Sequence, residues 1–195
     1  MNWSSFLASG TGRPVRPLLT EALAARSDRT PGTAIDLGAG DGTESRFLAV
    51  NGWTVYAYDG AIGTEERVPA GLNTSPTDAS ARLHTTRLDF EAITTLPSSD
   101  LMYAGRSLPF CAEAAFPELW NVILASIKPD GWFVGDFFGP NDSWVGRSTM
   151  NFQGRSDITE LLAGFTIDKL AEAEGPASTP FGDKHLHILS VIAHR

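Results

Sequence analysis

Short apolar runs alternate along the chain with segments in which apolar residues recur at helical spacing. Residues 34–37 and 53–58 have the length and apolar character of buried strands. Between them, residues 43–50 place apolar side chains on one helical face, and Asn51-Gly52 ends that pattern. A strand, a helix and a second strand in this order predict a right-handed βαβ crossover within a parallel sheet.

The same alternation continues to the end of the chain, which predicts a doubly wound α/β fold. Further strands are predicted at residues 82–90, 100–104, 132–138, 165–170 and 185–193. Further helices are predicted at about residues 16–26 and from residue 116 to the turn at 128–131. Another is predicted to begin after a cap at Ser156, which Glu160 would help, and to end at residue 162.

Length and composition indicate one domain of ordinary size. The 195 residues are 42% hydrophobic and 19% charged, and we expect a single domain over residues 1–195, with residues 1–30 as an N-terminal cap. No apolar run approaches the ~20 residues that span a bilayer, and no signal-peptide pattern is visible. Cys111 is the only cysteine, which fits a cytoplasmic protein. A net charge of −8 argues against nucleic acid as a partner, while the oligomeric state stays open.

A glycine-rich loop follows the first predicted strand. Gly38, Gly40 and Gly42 suggest a backbone shaped around a ligand, and an acid, Asp59, ends the next strand. Such an acid binds ribose hydroxyls in nucleotide-binding α/β folds. The dinucleotide fingerprint requires a third glycine where this chain has Thr43, which weakens the prediction of NAD binding.

The glycine loop resembles motif I of the class I methyltransferases that use S-adenosylmethionine. That motif corresponds to residues 38–42, preceded by Asp36. Leu88-Asp89-Phe90 is similar to the motif after the third strand of this class, and residues 107–110 and 119–138 are similar to later segments. Over about residues 15–193 the chain is most similar to small bacterial methyltransferases of the tellurite-resistance type.

The resemblance implies a seven-stranded, Rossmann-like sheet, mostly parallel with an antiparallel last strand, and S-adenosylmethionine as cofactor. We expect Arg16 to pair with the methionine carboxylate of the cofactor, with Arg13 as the competing candidate. Asp89 would meet the adenine amino group, although it could equally be a surface turn residue. The expected cofactor residues are Arg16, Asp36, Gly38, Ala39, Gly40, Asp59, Gly60, Asp89, Phe90 and Arg106.

The loop after the fifth strand leaves the sheet at the edge where ligands of open α/β sheets bind. We therefore expect Phe138, Asn141 and Trp144 to bind the substrate. Asp142 and His185 are the catalytic candidates, as groups that orient or deprotonate the acceptor. Asp142 could instead cap a turn. Other aromatic candidates for contact with the sulfonium are Trp3, Phe6 and Phe137, and no cysteine or histidine cluster has metal-ligand spacing.

The function predicted from these patterns is methyl transfer to a small molecule by in-line displacement. A protein that binds S-adenosylmethionine without methylating is the main alternative, and an NAD(P)-dependent oxidoreductase is a weaker one. Neither the acceptor nor its reacting atom, which could be oxygen, nitrogen, sulfur, carbon or a metalloid, follows from the sequence.

Overall fold

The computed structural model describes residues 12–28, 30–72, 78–179 and 182–195, so that Trp3 and Phe6 lie outside the described residues. Its centre is a seven-stranded sheet with the order β3-β2-β1-β4-β5-β7-β6. The strands are β1 (Thr33–Leu37), β2 (Thr54–Asp59), β3 (Leu83–Arg87), β4 (Ser99–Ala104), β5 (Ile127–Phe138), β6 (Thr166–Thr179) and β7 (Gly182–His194).

Strands β1 to β5 run parallel, and β7 runs antiparallel to both of its neighbours, β5 and β6. The predicted mostly parallel sheet with an antiparallel last strand is therefore confirmed. The order reverses between β1 and β4, where the chain turns from one half of the sheet to the other. In open α/β sheets this switch point is where ligands bind.

Helices cover both faces of the sheet. Within the described residues the α-helices are α1 (Pro17–Ala25), α2 (Thr43–Val50), α3 (Thr64–Arg67), α4 (Ala79–Arg82), α5 (Phe116–Ser126) and α6 (Arg155–Leu161). One apolar cluster packs α1 and α2 against the sheet around Leu19 and Leu48, and a second packs α5 and α6 around Trp120 and Ile158. Because both faces are buried, the central strands read as continuous apolar runs.

Several predicted boundaries need correction. Helix α6 begins at Arg155, one residue before the expected Ser156 cap, because the backbone N–H of Gly154 is bonded to the carboxylate of Asp157 at 2.7 Å. Strand β3 ends at Arg87 rather than at residue 90. Strand β5 begins at Ile127 and so includes the expected turn at residues 128–131, where Asp130 has φ of 61°.

Strands β6 and β7 form a hairpin much longer than their apolar runs predicted. Beyond the pair Phe138–Ile188 the hairpin extends past the carboxyl end of β5. The loop after β5 continues the pairing there, since the Gly139 N–H donates to the carbonyl of His187 at 2.8 Å. This part of β6 is mostly exposed, so no apolar alternation marked it in the sequence. None of the described helices has the length and apolar character needed to cross a membrane.

Candidate functional site

A cavity of about 450 Å³ opens at the carboxyl edge of the sheet, over the switch point between β1 and β4. Its volume falls within the range of small-molecule and cofactor sites. All ten residues predicted to contact the cofactor lie in its wall: Arg16, Asp36, Gly38, Ala39, Gly40, Asp59, Gly60, Asp89, Phe90 and Arg106. Of the predicted substrate residues, Phe138 and Trp144 also line it.

The glycine loop is fitted closely to its surroundings. Gly38 has φ of 76°, and a Cβ atom there would overlap the side chain of Ser107. The Ser107 hydroxyl donates in turn to the carbonyl of Leu37. The N–H groups of Gly38 and Ala39 both donate to the carbonyl of Tyr58, at 2.8 and 3.0 Å. The loop is thus held against β2 and β4, and only glycine fits at its first position.

Asp59, the last residue of β2, connects the glycine loop to the segment that follows β2. Its carboxylate accepts hydrogen bonds from the N–H groups of Gly40 and Ala61, both at 2.8 Å. The Arg67 guanidinium lies 3.8 Å away and donates to the Gly40 carbonyl at 2.9 Å. A carboxylate oxygen can accept more than one hydrogen bond, so Asp59 keeps capacity for hydroxyl groups in the cavity.

At the rim of the cavity, Asp89 and Phe90 follow β3. Asp89 is exposed, and its side chain has no hydrogen bond within the described part of the chain. Gly60 faces it so closely that a Cβ atom would overlap the Asp89 carboxylate. An acid with open acceptor positions beside an aromatic ring suits a planar base that carries an amino group.

Asp36 is buried inside β1 and accepts a hydrogen bond from the Ser45 hydroxyl at 2.5 Å. Burial raises the pKa of this carboxyl to about 7, because the charged form loses its hydration. Asp36 is therefore a buried acid whose pKa is raised toward neutral pH.

The structure distinguishes the two arginines that precede α1. Arg13 donates to both carboxylate oxygens of Glu44, at 2.6 and 2.5 Å, and to Asp41 at 3.0 Å. The side chain of Arg16 has no hydrogen bond or ion pair to any described residue, although its backbone N–H donates to Glu44 at 3.0 Å. Burial and the nearby charges of Arg13 and Arg106 lower the pKa of Arg16. Arg16 is thus the guanidinium left open for an anion.

Two further polar groups face the same region. The hydroxyl of Tyr103 is buried and has no hydrogen-bond partner among the described residues. Arg106 adopts φ of 56°, and its N–H donates to the buried carboxylate of Asp136 at 3.0 Å. Asp136 also accepts from the Ser190 hydroxyl at 2.6 Å, and burial raises its pKa. The Tyr103 hydroxyl, without a partner among the described residues, is therefore available to a ligand in the cavity that Tyr103 lines.

The opposite end of the cavity is aromatic. Phe110, Phe138 and Trp144 have ring centroids 5.9 to 6.3 Å apart. Leu186 and Lys184 of β7 complete this wall. The cavity therefore has a polar end over the glycine loop and an apolar end under the β6–β7 hairpin.

Three predicted site residues, Asp142, His185 and Asn141, are not among the described residues that line the cavity, so its geometry gives no support to their direct contact with the substrate. Asp142 is buried and accepts hydrogen bonds from Lys184 Nζ and from the Trp144 and His187 N–H groups, at 2.6, 3.0 and 3.2 Å. It therefore holds the loop and the hairpin together, which is closer to the turn-capping alternative.

His185 and Asn141 lie on the outer side of the hairpin. The His185 ring contacts Glu174 at 2.9 Å, and the Asn141 amide donates to the same carboxylate at 3.1 Å. Side chains alternate across a strand, so His185 and His187 share the face turned away from the cavity while Lys184 and Leu186 line it. His187 is buried and accepts from the Asn141 N–H, as a structural histidine would.

The remaining candidates from the sequence are core residues. Phe137 is fully buried among the side chains of α5 and the sheet rather than in the cavity wall. Cys111 is also buried, and burial raises its pKa to about 12, which leaves the thiol protonated at neutral pH. Within the described ranges, no group of three or more histidine, cysteine or acidic residues is arranged to hold a metal ion.

Sequence reasoning missed Tyr103 and Glu44 and gave Lys184 no role. Tyr103 reads as a core residue within an apolar strand, and Glu44 reads as an exposed acid in the first turn of a helix. Their importance depends on distant partners, which neither spacing nor composition reports.

Comparison with known proteins agrees with this geometry. The family model of the tellurite resistance protein TehB matches residues 15–134. TehB from Haemophilus influenzae has 13% identity and a TM-score of 0.77, and the match covers 99% of this chain and 67% of that one. No curated protein sequence matches the chain significantly.

Two further solved structures show the same fold. The N-methyltransferase NodS from Bradyrhizobium japonicum, in complex with S-adenosylhomocysteine, has 14% identity and a TM-score of 0.69, covering 97% of this chain and 96% of that one. The 1,6-didemethyltoxoflavin-N1-methyltransferase of Burkholderia thailandensis has 19% identity and a TM-score of 0.67, covering 98% and 84%. Since the TehB model spans more than half of the 195 residues, this chain belongs to the family of the tellurite resistance protein TehB and has the class I methyltransferase fold.

Proposed function

We propose that this chain is an S-adenosylmethionine-dependent methyltransferase that acts on a small-molecule acceptor. The observation that carries the proposal is one cavity whose wall combines a close-fitting glycine loop, the strand-end acid Asp59 and the guanidinium of Arg16, which pairs with no described residue. This set matches the hydroxyl groups and the carboxylate of the cofactor. Membership in the TehB family and the fold of the neighbours support the same cofactor.

The chain's residues divide the binding work between the two ends of the cofactor. Asp59 accepts the ribose hydroxyls, while Asp89 and Phe90 meet the adenine. At the other end, Arg16 pairs with the methionine carboxylate, and the Tyr103 hydroxyl, which has no protein partner in the described residues, donates to the same end. Arg13 is excluded from this role because Glu44 and Asp41 already neutralise it.

When bound, the cofactor supplies a methyl group that is already activated on a sulfonium sulfur. The chain therefore has to align the acceptor with that methyl group and exclude water, without a catalytic triad. The aromatic rings of Phe110, Phe138 and Trp144 form an apolar chamber suited to both tasks. The neighbouring 1,6-didemethyltoxoflavin-N1-methyltransferase holds the small molecule 1,6-didemethyltoxoflavin, which supports a small acceptor for this chain. A cytoplasmic location stays a prediction of the sequence.

Calorimetry with S-adenosylhomocysteine and NAD tests the cofactor assignment. We expect micromolar binding of S-adenosylhomocysteine and none of NAD, since α2 begins with Thr43 where the dinucleotide motif has glycine. Tighter binding of NAD would refute the assignment.

Incubation with methyl-labelled S-adenosylmethionine and a cell extract then separates an enzyme from a protein that only binds the cofactor. Transfer of label to small molecules supports the enzyme. Binding without transfer supports the alternative of a sensor.

A further inference from the structure

Lys184 presents a buried ammonium group at the aromatic end of the cavity. Its side chain is 3% exposed, and Nζ lies 3.4 Å from the ring centroid of Trp144 and 4.6 Å from that of Phe138. A charge so deeply buried requires compensation from its surroundings. The two rings and Asp142 supply it.

Lys184 has hydrogen-bond donors that no described residue accepts. An ammonium has three N–H donors, and within the described chain one of them is bonded, to Asp142 at 2.6 Å. The carboxylate of Asp142 is shared with two backbone N–H groups, those of Trp144 and His187. The ammonium therefore keeps both donor capacity and positive character toward the cavity that it lines.

A second positive group lies at this end of the cavity among the described residues. The guanidinium of Arg147 is 5.0 Å from the ring centroid of Trp144. Burial, more than any other effect, lowers the pKa of Lys184. Stability is a weak reason to keep such a pair, because apolar replacements of buried ion pairs are often neutral or stabilising.

We propose that the aromatic end of the cavity binds a flat, weakly acidic acceptor whose ionised oxygen or sulfur accepts a hydrogen bond from Lys184. The rings of Phe110, Phe138 and Trp144 contact the planar body, and Lys184 selects the anion over the neutral acid. This inference rests on the proposed function, because it names the acceptor class of the same site. Lys184 has a binding and orienting role, and the reacting atom is the one that it holds.

A chromogenic probe tests this without any methyl transfer. 4-Nitrophenol is flat, ionises near neutral pH and becomes yellow as the phenolate. With the protein saturated by S-adenosylhomocysteine, we expect it to bind and its pKa to fall by about 1–3 units, the usual effect of a close opposite charge. Nitrobenzene, which has the same ring without the acidic group, should bind at least tenfold more weakly.

Variants assign the effect to this subsite. Lys184→Met should keep the affinity for S-adenosylhomocysteine and lose the downward pKa shift of the probe. Lys128→Met is the matched control, since Lys128 is also ion-paired, to Asp100 at 2.9 Å, but outside the cavity; it should behave as the wild type. Leu186→Trp fills the aromatic end and leaves the ion pair intact, so it should abolish probe binding even if Lys184→Met fails to fold.

The outcomes separate this inference from the proposed function. Failure to bind S-adenosylhomocysteine would refute the cofactor assignment. If S-adenosylhomocysteine binds, the acceptor class is refuted by any of four results: no binding of 4-nitrophenol, an unlowered pKa of the bound probe, full probe binding by Leu186→Trp, or equal affinity for nitrobenzene.

Discussion

Replacing Arg16 by methionine should weaken binding of S-adenosylhomocysteine but not of 5′-methylthioadenosine, which lacks the amino-acid part. Arg16 is partly buried beside Arg13 and Arg106, and it has no anionic partner in the described residues. A carboxylate at this position would relieve the like-charge repulsion and satisfy the guanidinium. Methionine keeps much of the side chain's volume but removes the charge.

The size of the effect follows from the kind of contact. A hydrogen bond to a charged group contributes about 1.5–3 kcal/mol, which corresponds to about a 10- to 150-fold rise in Kd. For 5′-methylthioadenosine the same substitution should change Kd by less than about twofold, since no carboxylate is present to lose the contact.

Calorimetry should measure the Kd of both ligands for the wild type and for Arg16→Met. Arg13→Met serves as the control variant. Because Arg13 neutralises Glu44 and Asp41, its loss should lower the melting temperature and weaken both ligands alike. Equal weakening of the two ligands by Arg16→Met would refute the carboxylate contact. Selective weakening by Arg13→Met would transfer that role to Arg13.

Further substitutions test which residues act in ligand binding, which in stability and which in neither. Asp59→Ala should raise Kd for S-adenosylhomocysteine about 5- to 150-fold in calorimetry and also lower the melting temperature, since two backbone N–H groups lose their acceptor; unchanged affinity would contradict its assignment. The pKa of Asp36 is raised from 3.8 to about 7, so between these pH values Asp36 ionises only in the unfolded state. The wild type should therefore lose up to about 4 kcal/mol of its free energy of unfolding between pH 4 and pH 7. In denaturant unfolding, the free energy of unfolding of Asp36→Asn should depend less on pH. Asp142→Ala should cost about 3–5 kcal/mol in the same assay by leaving Lys184 buried and unpaired. His185→Ala should leave cofactor affinity and turnover unchanged, because its ring contacts Glu174 outside the cavity; a fall in turnover of about 100-fold or more would restore it as a general base.

Much of the cavity wall around the glycine loop could be predicted because its residues lie close together in the sequence. The glycine loop and Asp59 each follow directly after an apolar run, and the carboxyl ends of parallel strands meet at one edge. The choice between Arg13 and Arg16 could not be made from the sequence. It depends on Glu44, about thirty residues away, whose burial on α2 has no local signal.

The residues of the aromatic end of the cavity were harder to predict. Their identity depends on which side chains of one strand, β7, point inward. The sequence predicted a last strand that begins at His185, but alternation sends only one of two neighbouring side chains inward. The sequence favoured His185 as a catalytic residue because histidine commonly acts as a general base, whereas Lys184 and Leu186 are the residues of β7 that line the cavity. A shift of one residue exchanges the two faces, and no apolar pattern in this extended hairpin decides between them.

The most direct measurement is a crystal structure of the protein with S-adenosylhomocysteine. We expect the ligand in the cavity over the glycine loop, with both ribose hydroxyls within hydrogen-bond distance of Asp59 and its carboxylate on Arg16. Its sulfur should face the aromatic chamber formed by Phe110, Phe138 and Trp144. A cavity that stays empty at saturating S-adenosylhomocysteine, or a ligand bound elsewhere on the chain, would contradict the proposed methyltransferase.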